Sequence, residues 1–321
     1  MIVNSQRLSA SAEQAPGAAA AGAQPPAPGT RVAIVTGGGG GLGRAYAIAL
    51  ARSGASVVVN DLGVSLDGRR GAGSPADAVV AEIREFGGRA VASHHDVADW
   101  GAARELIDQA FDELGDLHVL VTSAGFLRDR TLAKMSESEW TDIIRVHLTG
   151  QAGPTCHAFA RWRALAEQGT AADRSVIHIT SSSGLRPGVG QGNYGAAKLG
   201  AVGLSQVAAL EGARYGIRAN AVAPSARTRM TEPDPRLAVS GDDSRRYEPE
   251  GVADLVAWLA SPTCRATGQI FHADGLRVTT LGLPPRLAVE ERTQGWSGAD
   301  FDTAIAPRLA AQPDIDELVG R

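Results

Sequence analysis

Tyr194 and Lys198 are four residues apart, a spacing that sets a phenol and an ammonium group on one helix face a turn apart. A phenol titrates at about 10, so at neutral pH it is a poor base. A neighbouring ammonium and the positive charge of an oxidised nicotinamide would both favour the phenolate. Such a tyrosine can take the proton of an alcohol as hydride leaves, or return one to a carbonyl in reverse. A serine hydroxyl opposite could hold the substrate oxygen, and Ser181, Ser182 and Ser183 all precede the tyrosine. The glycine-rich run from Gly184 to Gly192 between them reads as a loop over the substrate. A Tyr–Lys pair alone is an ordinary surface feature, so the chemistry depends on whether a hydride carrier lies beside it.

Thr36–Arg44, TGGGGGLGR, supplies a place for one. The general dinucleotide pattern fits through Gly38, Gly40 and Gly43, although a glycine run matches many registers by chance. Its context is more telling. An apolar strand precedes the run and a helix follows at once, which is where backbone N–H groups and a helix N-terminus meet a pyrophosphate. Asp61 ends the next apolar run, 18 residues beyond Gly43. A carboxylate there can accept hydrogen bonds from both adenosine ribose hydroxyls and repels a 2′-phosphate. No basic residue follows it closely, so NAD is expected rather than NADP.

These residues need a scaffold, and the chain alternates strand and helix patterns. Short apolar β runs fall at 32–35, 57–60, 89–93, 117–122, 175–180, 218–222 and 269–272, with helical spacing at 42–52, 76–86, 102–114, 137–148 continuing toward 166, 196–215 and 252–260. Alternation of this kind predicts an α/β fold, a parallel sheet of about seven strands with helices on both faces. Its core strands are near-continuous apolar runs, as expected where both faces are covered. Residues 1–29, rich in Ala, Pro and Gly, cannot bury enough surface to offset their ordering entropy and read as a disordered arm. Residues 30–280 form the expected catalytic domain and 281–321 a C-terminal extension with one possible helix at 299–309. The polar, proline-bearing stretch 233–249 reads as a mobile loop near the C-terminal edge of the sheet.

Composition narrows the partners. With 44% hydrophobic and 21% charged residues and a net charge of −4, the chain has no electrostatic case for nucleic acid or an anionic membrane. No segment approaches the ~18 apolar residues of a bilayer span. Two cysteines far apart make neither a disulfide framework nor a metal site. The N-terminal residues lack a signal-peptide pattern and Val319-Gly320-Arg321 is not a peroxisomal tripeptide, so a cytoplasmic location is the expectation.

Together, Thr36-Gly37-x-x-x-Gly41-x-Gly43, Asp61, Asp96-Val97, Ala124-Gly125, Ser181, Tyr194-x-x-x-Lys198 and Pro224 resemble the short-chain dehydrogenase/reductase family over residues 31–275. The resemblance implies a single Rossmann-type doubly wound sheet. It selects Ser181, because the family's serine lies 13 positions before the tyrosine. It implies that Ser181, Tyr194 and Lys198 are catalytic and that Lys198 also holds the nicotinamide ribose. It further implies cofactor contacts from Gly37, Gly41, Leu42, Gly43, Asp61, Asp96, Val97, Ala124, Gly125, Tyr194, Pro224 and Thr228, with Asp96 and Val97 at the adenine.

Further stretches, NDLG at 60–63, LRDRT at 127–131, RVHLTG at 145–150, GQGNYGAAKLG at 190–200 and APSARTRMT at 223–231, are similar to a subgroup of the family. These are the dehydrogenase parts of peroxisomal multifunctional enzymes and related actinobacterial 3-hydroxyacyl-CoA and 17β-hydroxysteroid dehydrogenases. The subgroup implies NAD and a secondary alcohol on an acyl-CoA or steroid. The alternatives are an NADPH-dependent 3-oxoacyl thioester reductase, which Asp61 disfavours, and a catalytically silent NAD-binding protein. Three positions depart from the wider family. Ser123 stands where an asparagine is common. His147 replaces the asparagine that holds a relay water; it could hold that water itself, or be a satisfied core histidine. The loop from Pro224 to Thr228 is one residue shorter. The helix at 196–215 has no clear polar face, which burial in its own domain would explain; the resemblance adds packing in a homodimer or homotetramer. Arg128 and Arg130 read as solvated loop charges rather than CoA ligands.

Overall fold

The computed structural model describes residues 31–63, 73–186, 188–228, 247–282 and 303. Runs of Val and Ile, whose branched side chains suit a pleated surface, make the first two strands, β1 (Arg31–Thr36) and β2 (Ala55–Asn60), with α1 (Gly41–Arg52) between them. The order continues α2 (Pro75–Glu85), β3 (Ala90–Ser93), α3 (Trp100–Leu114), β4 (Val119–Thr122) and α4 (Glu137–Ile144). A π turn (Arg145–Thr149) then joins α4 to α5 (Gly150–Glu167). Next come β5 (Arg174–Ile179), the short α6 (Ser182–Leu185), α7 (Gly192–Gly212), β6 (Ile217–Pro224), α8 (Pro249–Ala260), β7 (Ile270–Ala273) and β8 (Val278–Leu281).

Local signals set the helix starts. Ser74 and Asp99 accept hydrogen bonds from the first-turn amides of α2 and α3, at 3.2 and 2.8 Å, and Ser136 with Glu139 forms a capping box before α4. The strands stand in the order 3-2-1-4-5-6-7-8. The first seven are parallel, and apolar residues from α1, α2 and α8 cover one face while those from α3, α5 and α7 cover the other. Strand order reverses between β1 and β4, the crevice where such sheets take ligands.

The described sheet has eight strands rather than about seven, and the last is antiparallel to β7. β8 escapes an apolar pattern because Val278, Thr279 and Thr280 are exposed. Its hairpin is set by Asp274, whose carboxylate accepts from the Arg277 amide at 3.0 Å, and by Gly275 at φ 85°. α7 starts four residues earlier than the expected 196 and therefore includes Tyr194. The arm at 1–29, residues 233–246 of the loop expected at 233–249 and the helix expected at 299–309, Thr303 aside, lie outside the described residues, and Pro249 already belongs to α8.

The two ends of the sheet do different jobs. At the N-terminal ends of the strands, Asp173 pairs with Arg31 and Arg218, both at 3.0 Å, and Asp116 with Arg174 at 2.8 Å. Arg218 also donates to the carbonyls of Leu259 and Ser261 at the end of α8, at 2.7 and 3.0 Å. The C-terminal ends carry the residues singled out for chemistry. Among the described residues no helix is long and apolar enough to cross a membrane.

Candidate active site

The turn between β1 and α1 is closed by glycines because backbone fills the space that side chains would need. Gly37 has φ 65°, and a Cβ there would stand 2.7 Å from the Ala124 Cα. A Cβ on Gly43 would run into the Gly37 carbonyl. Thr36 locks the same crossing: its Oγ1 accepts from the amides of Ser123 and Ala124, at 3.0 and 3.2 Å. Helix α1 begins at Gly40 with no side-chain cap and no acidic residue in its first turn. Its leading amides thus stay available to an anion.

Asp61 sits at the end of β2 with both carboxylate oxygens in use, accepting from Gly39 N at 3.0 Å and Gly63 N at 2.8 Å. The carboxylate is therefore fixed at the edge of the glycine turn. A rigid cradle of amides with an anchored acid beside it fits a dinucleotide: pyrophosphate at the helix start, ribose at Asp61. Thr228 joins this cradle, its Cγ2 lying 3.4 Å from where a Cβ of Gly41 would be. Leu42 is partly buried against the core, and Pro224 ends β6.

The residues expected at the adenine also hold the fold. Asp96 already accepts from Ala98 N at 2.9 Å and pairs with Arg145 at 2.9 Å. The Val97 side chain is buried in the core. Each Asp96 oxygen takes one of these hydrogen bonds and keeps a second acceptor site.

The catalytic candidates converge. Ser181 caps α6, accepting from Ser183 N at 3.1 Å, and its hydroxyl faces the Tyr194 phenol closely enough to act on it. Ser182 and Ser183 are spent inside α6. Burial pushes the Tyr194 phenol up to about 12, with Ser181 acting against that rise and Asp129 adding to it. Lys198 is buried, 3% exposed, with Nζ 5.6 Å from the Tyr194 ring centroid and donating to the Ile179 carbonyl at 2.8 Å. Burial brings its ammonium down to about 7.

His147 lies on the π turn, edge-on to Tyr194 with ring centroids 5.0 Å apart. π turns are an irregularity often found at functional sites. Its Nε2 lies 2.6 Å from the Phe126 carbonyl and 3.0 Å from the Phe126 amide, so it donates to the first in one neutral tautomer and accepts from the second in the other. Nδ1 is buried and without a hydrogen-bond partner among the described residues. The satisfied-core reading thus accounts for one ring nitrogen only. Burial first, then the Lys198 charge, lower this imidazole to about 3.

The ring of His147 also explains Gly125. A Cβ there would overlap His147 Cε1 and stand 2.7 and 2.8 Å from its ring nitrogens. Gly125→Ala should displace His147 from Tyr194 and lower turnover by about 10²-fold, the cost of a misplacement of about 1 Å. Steady-state rates together with near-ultraviolet circular dichroism check this.

Some contributors have no simple sequence signal. Asn193, fully buried, donates to the carbonyls of Arg128 and Glu139 at 3.0 and 2.9 Å and accepts from Tyr194 N at 2.8 Å. It pins the first turn of α7 to the loop before α4, and so fixes the tyrosine. Gln151 and Thr155 extend the face of His147 by one and two turns into the core. There the Thr155 hydroxyl donates to the Gln151 carbonyl at 2.7 Å, so His178 Nε2–H must donate to Thr155, 3.1 Å away. Arg130 is ion-paired with Glu139 at 2.9 Å and exposed, and the Arg128 guanidinium stacks 4.9 Å from the Phe126 ring centroid.

His178, like His147, is lowered to about 3 by burial. Between about pH 3 and 6.5 the unfolded chain binds protons at these rings that the folded chain does not. Their contribution is complete above about 6.5 and is lost as pH falls toward 3. The stability should therefore drop by roughly 2.7 kcal/mol per pH unit near pH 5 from these two groups. Urea unfolding at several pH values tests it, and His178→Gln should remove one of the two protons from the slope.

A model of the short chain dehydrogenase family matches residues 31–236. The chain is 43% identical to mouse peroxisomal multifunctional enzyme type 2 over 71% of its own length, and spans 29% of that larger protein. It is 39% identical to the hydroxyacyl-CoA dehydrogenase ChsB1 of Mycobacterium tuberculosis, over 81% of this chain and 80% of that one. A crystal structure of a short chain dehydrogenase from Mycobacterium avium superposes with a TM-score of 0.78 at 43% identity, covering 91% of this chain and 95% of that one.

Proposed function

Because the chain belongs to the short-chain dehydrogenase family, and so among oxidoreductases acting on CH–OH groups, we propose that it is an NAD-dependent dehydrogenase of 3-hydroxyacyl-CoA-type substrates. The observation that carries this reading is the convergence of Ser181 and Tyr194, both partly buried, with the buried Lys198. It sits at the same end of the sheet as the glycine turn and Asp61.

The family binds NAD(H) or NADP(H), and the dinucleotide, when bound, accepts or delivers the hydride. The protein's own residues do the rest. The glycine-turn amides hold the pyrophosphate, Asp61 the adenosine ribose, and Lys198 the nicotinamide ribose. Asp61 favours NAD, since a 2′-phosphate would meet a fixed carboxylate. Ser181 donates to the substrate oxygen and orients it toward Tyr194. Tyr194 removes the hydroxyl proton as the carbonyl forms. Neutral His147 offers its unpartnered Nδ1 to a water beside the tyrosine. The acyl-CoA class is supported by the hydroxyacyl-CoA dehydrogenase relative; a steroid side-chain CoA belongs to the same chemistry.

Initial rates with short- and long-chain 3-hydroxyacyl-CoAs, a steroid-CoA and free 17β-hydroxysteroids, each with NAD or NADP, test the reading. NAD-linked oxidation of a 3-hydroxyacyl-CoA is expected. Faster NADPH-linked reduction of 3-oxoacyl thioesters would replace it, and NAD binding without turnover on any substrate would refute it.

Assembly as a homodimer or homotetramer belongs to the same proposal. α7 exposes Leu199, Val207 and Leu210, 51%, 50% and 80% exposed, along one side. They suit a second copy better than water, and light scattering that finds a monomer would count against it.

A further inference from the structure

Gln151, in the first turn of α5, is 1% exposed and bonded to three separate parts of the site. Its Oε1 accepts from Thr122 Oγ1 at 2.9 Å. Its Nε2 donates to the carbonyls of His147 at 3.0 Å and Ile179 at 3.1 Å. Those contacts use both amide hydrogens and fix which end of the side chain is nitrogen. The Ile179 carbonyl is also the acceptor for Lys198 Nζ, at 2.8 Å.

We propose that Gln151 is a positioning residue for Lys198: its amide fills one lone pair of the Ile179 carbonyl and takes the His147 carbonyl, leaving the lysine a single backbone contact. The amide hydrogens also set their positive ends beside that carbonyl, where they oppose a charged lysine. Among the described residues the surroundings add no compensating anion. Tyr194 on α7 is held in its phenol form and His147 on the π turn is held neutral. β5 presents the Ile179 carbonyl, α6 the Ser181 hydroxyl that caps it, and β4 the Thr122 hydroxyl. Asp129 acts on Tyr194. With burial already lowering Lys198 to about 7, one acceptor more or less decides whether it is charged at neutral pH.

The sequence makes this directly measurable, because its two lysines are Lys134 and Lys198. Lysine labelled with carbon-13 at Cε gives two resonances, with exposed Lys134 as the internal reference. Titration of the ligand-free protein should place the Lys198 midpoint near 7, as burial implies. Gln151→Met keeps the length and removes both donors; it should raise that midpoint by about half a unit or more. Thr122→Val, which only unlatches the amide, should move it the same way by less. A midpoint unchanged or lowered in both variants would overturn the proposal, and if Gln151→Met does not fold, Thr122→Val decides alone. A residue with a purely structural role would leave the titration where it is. The inference borrows from the proposed dehydrogenase reading only the importance of Lys198. The titration uses neither substrate nor cofactor, so its failure would leave that reading standing.

Discussion

Tyr194→Phe should lower kcat for alcohol oxidation by about 10²–10⁴-fold, the usual contribution of a positioned acid–base group, while NAD binding stays within a few-fold (~3-fold) of wild type. The substitution removes one oxygen and keeps the ring, which is held edge-on by His147 at 5.0 Å and lies 5.6 Å from Lys198 Nζ. What is lost is the proton acceptor and the polar group facing Ser181. In the ligand-free protein the phenol is pushed up to about 12 and the lysine down to about 7. At pH 8 the pair therefore stands mainly as phenol and amine. That state has the same proton count as phenolate and ammonium, so a shift toward the second form needs no proton from solvent. Oxidation by wild type should rise with pH through the lysine midpoint near 7, where the site loses the first of these two protons. Steady-state rates across pH and a fluorescence titration with NAD measure both halves. Turnover by Tyr194→Phe at the wild-type rate would remove the tyrosine from the mechanism.

Asp61→Ala should reduce kcat/KM with NAD by about 10- to 100-fold and narrow or reverse the preference over NADP. A charge-assisted hydrogen bond contributes roughly 1.5–3 kcal/mol, which sets the scale. The carboxylate has a second task, since it accepts from Gly39 N and Gly63 N at 3.0 and 2.8 Å. Its loss therefore loosens the glycine turn as well as the ribose contact. Asp61→Asn should be intermediate: it retains an acceptor oxygen and drops the charge that repels a 2′-phosphate. Wild-type protein using NADP as well as NAD would show that Asp61 does not discriminate.

The parts of this molecule readable from its sequence are those whose partners are near in sequence or whose pattern repeats. Tyr194 and Lys198 are one helical turn apart, and the glycine turn announces itself between an apolar strand and a helix. The parallel strands were visible as apolar runs because both faces of the sheet are covered. Gln151 and Asn193 were not readable as site residues, since Gln151 acts on Thr122 and Ile179 and Asn193 on Arg128 and Glu139, all distant in sequence. The π turn adds a residue to a helix without disturbing its apolar pattern. β8 is polar and exposed, although Asp274-Gly275 was a hairpin signal in plain view. Asp96 and Val97 stand out in the chain only by resemblance, and only coordinates reveal that Arg145 pairs with the first and that the core packs the second.

The contact between Gly125 and His147 reaches beyond catalysis to how this sequence can change. A ring at 147 forbids a side chain at 125, so the two positions cannot drift independently. Alanine at 125 should be far less harmful once 147 carries a smaller residue, and a double-mutant cycle should show strong coupling between them. In evolutionary terms the pair is a ratchet. Once histidine is installed at 147, the routes through substitution at 125 close, and the order of mutations becomes part of what the fold allows.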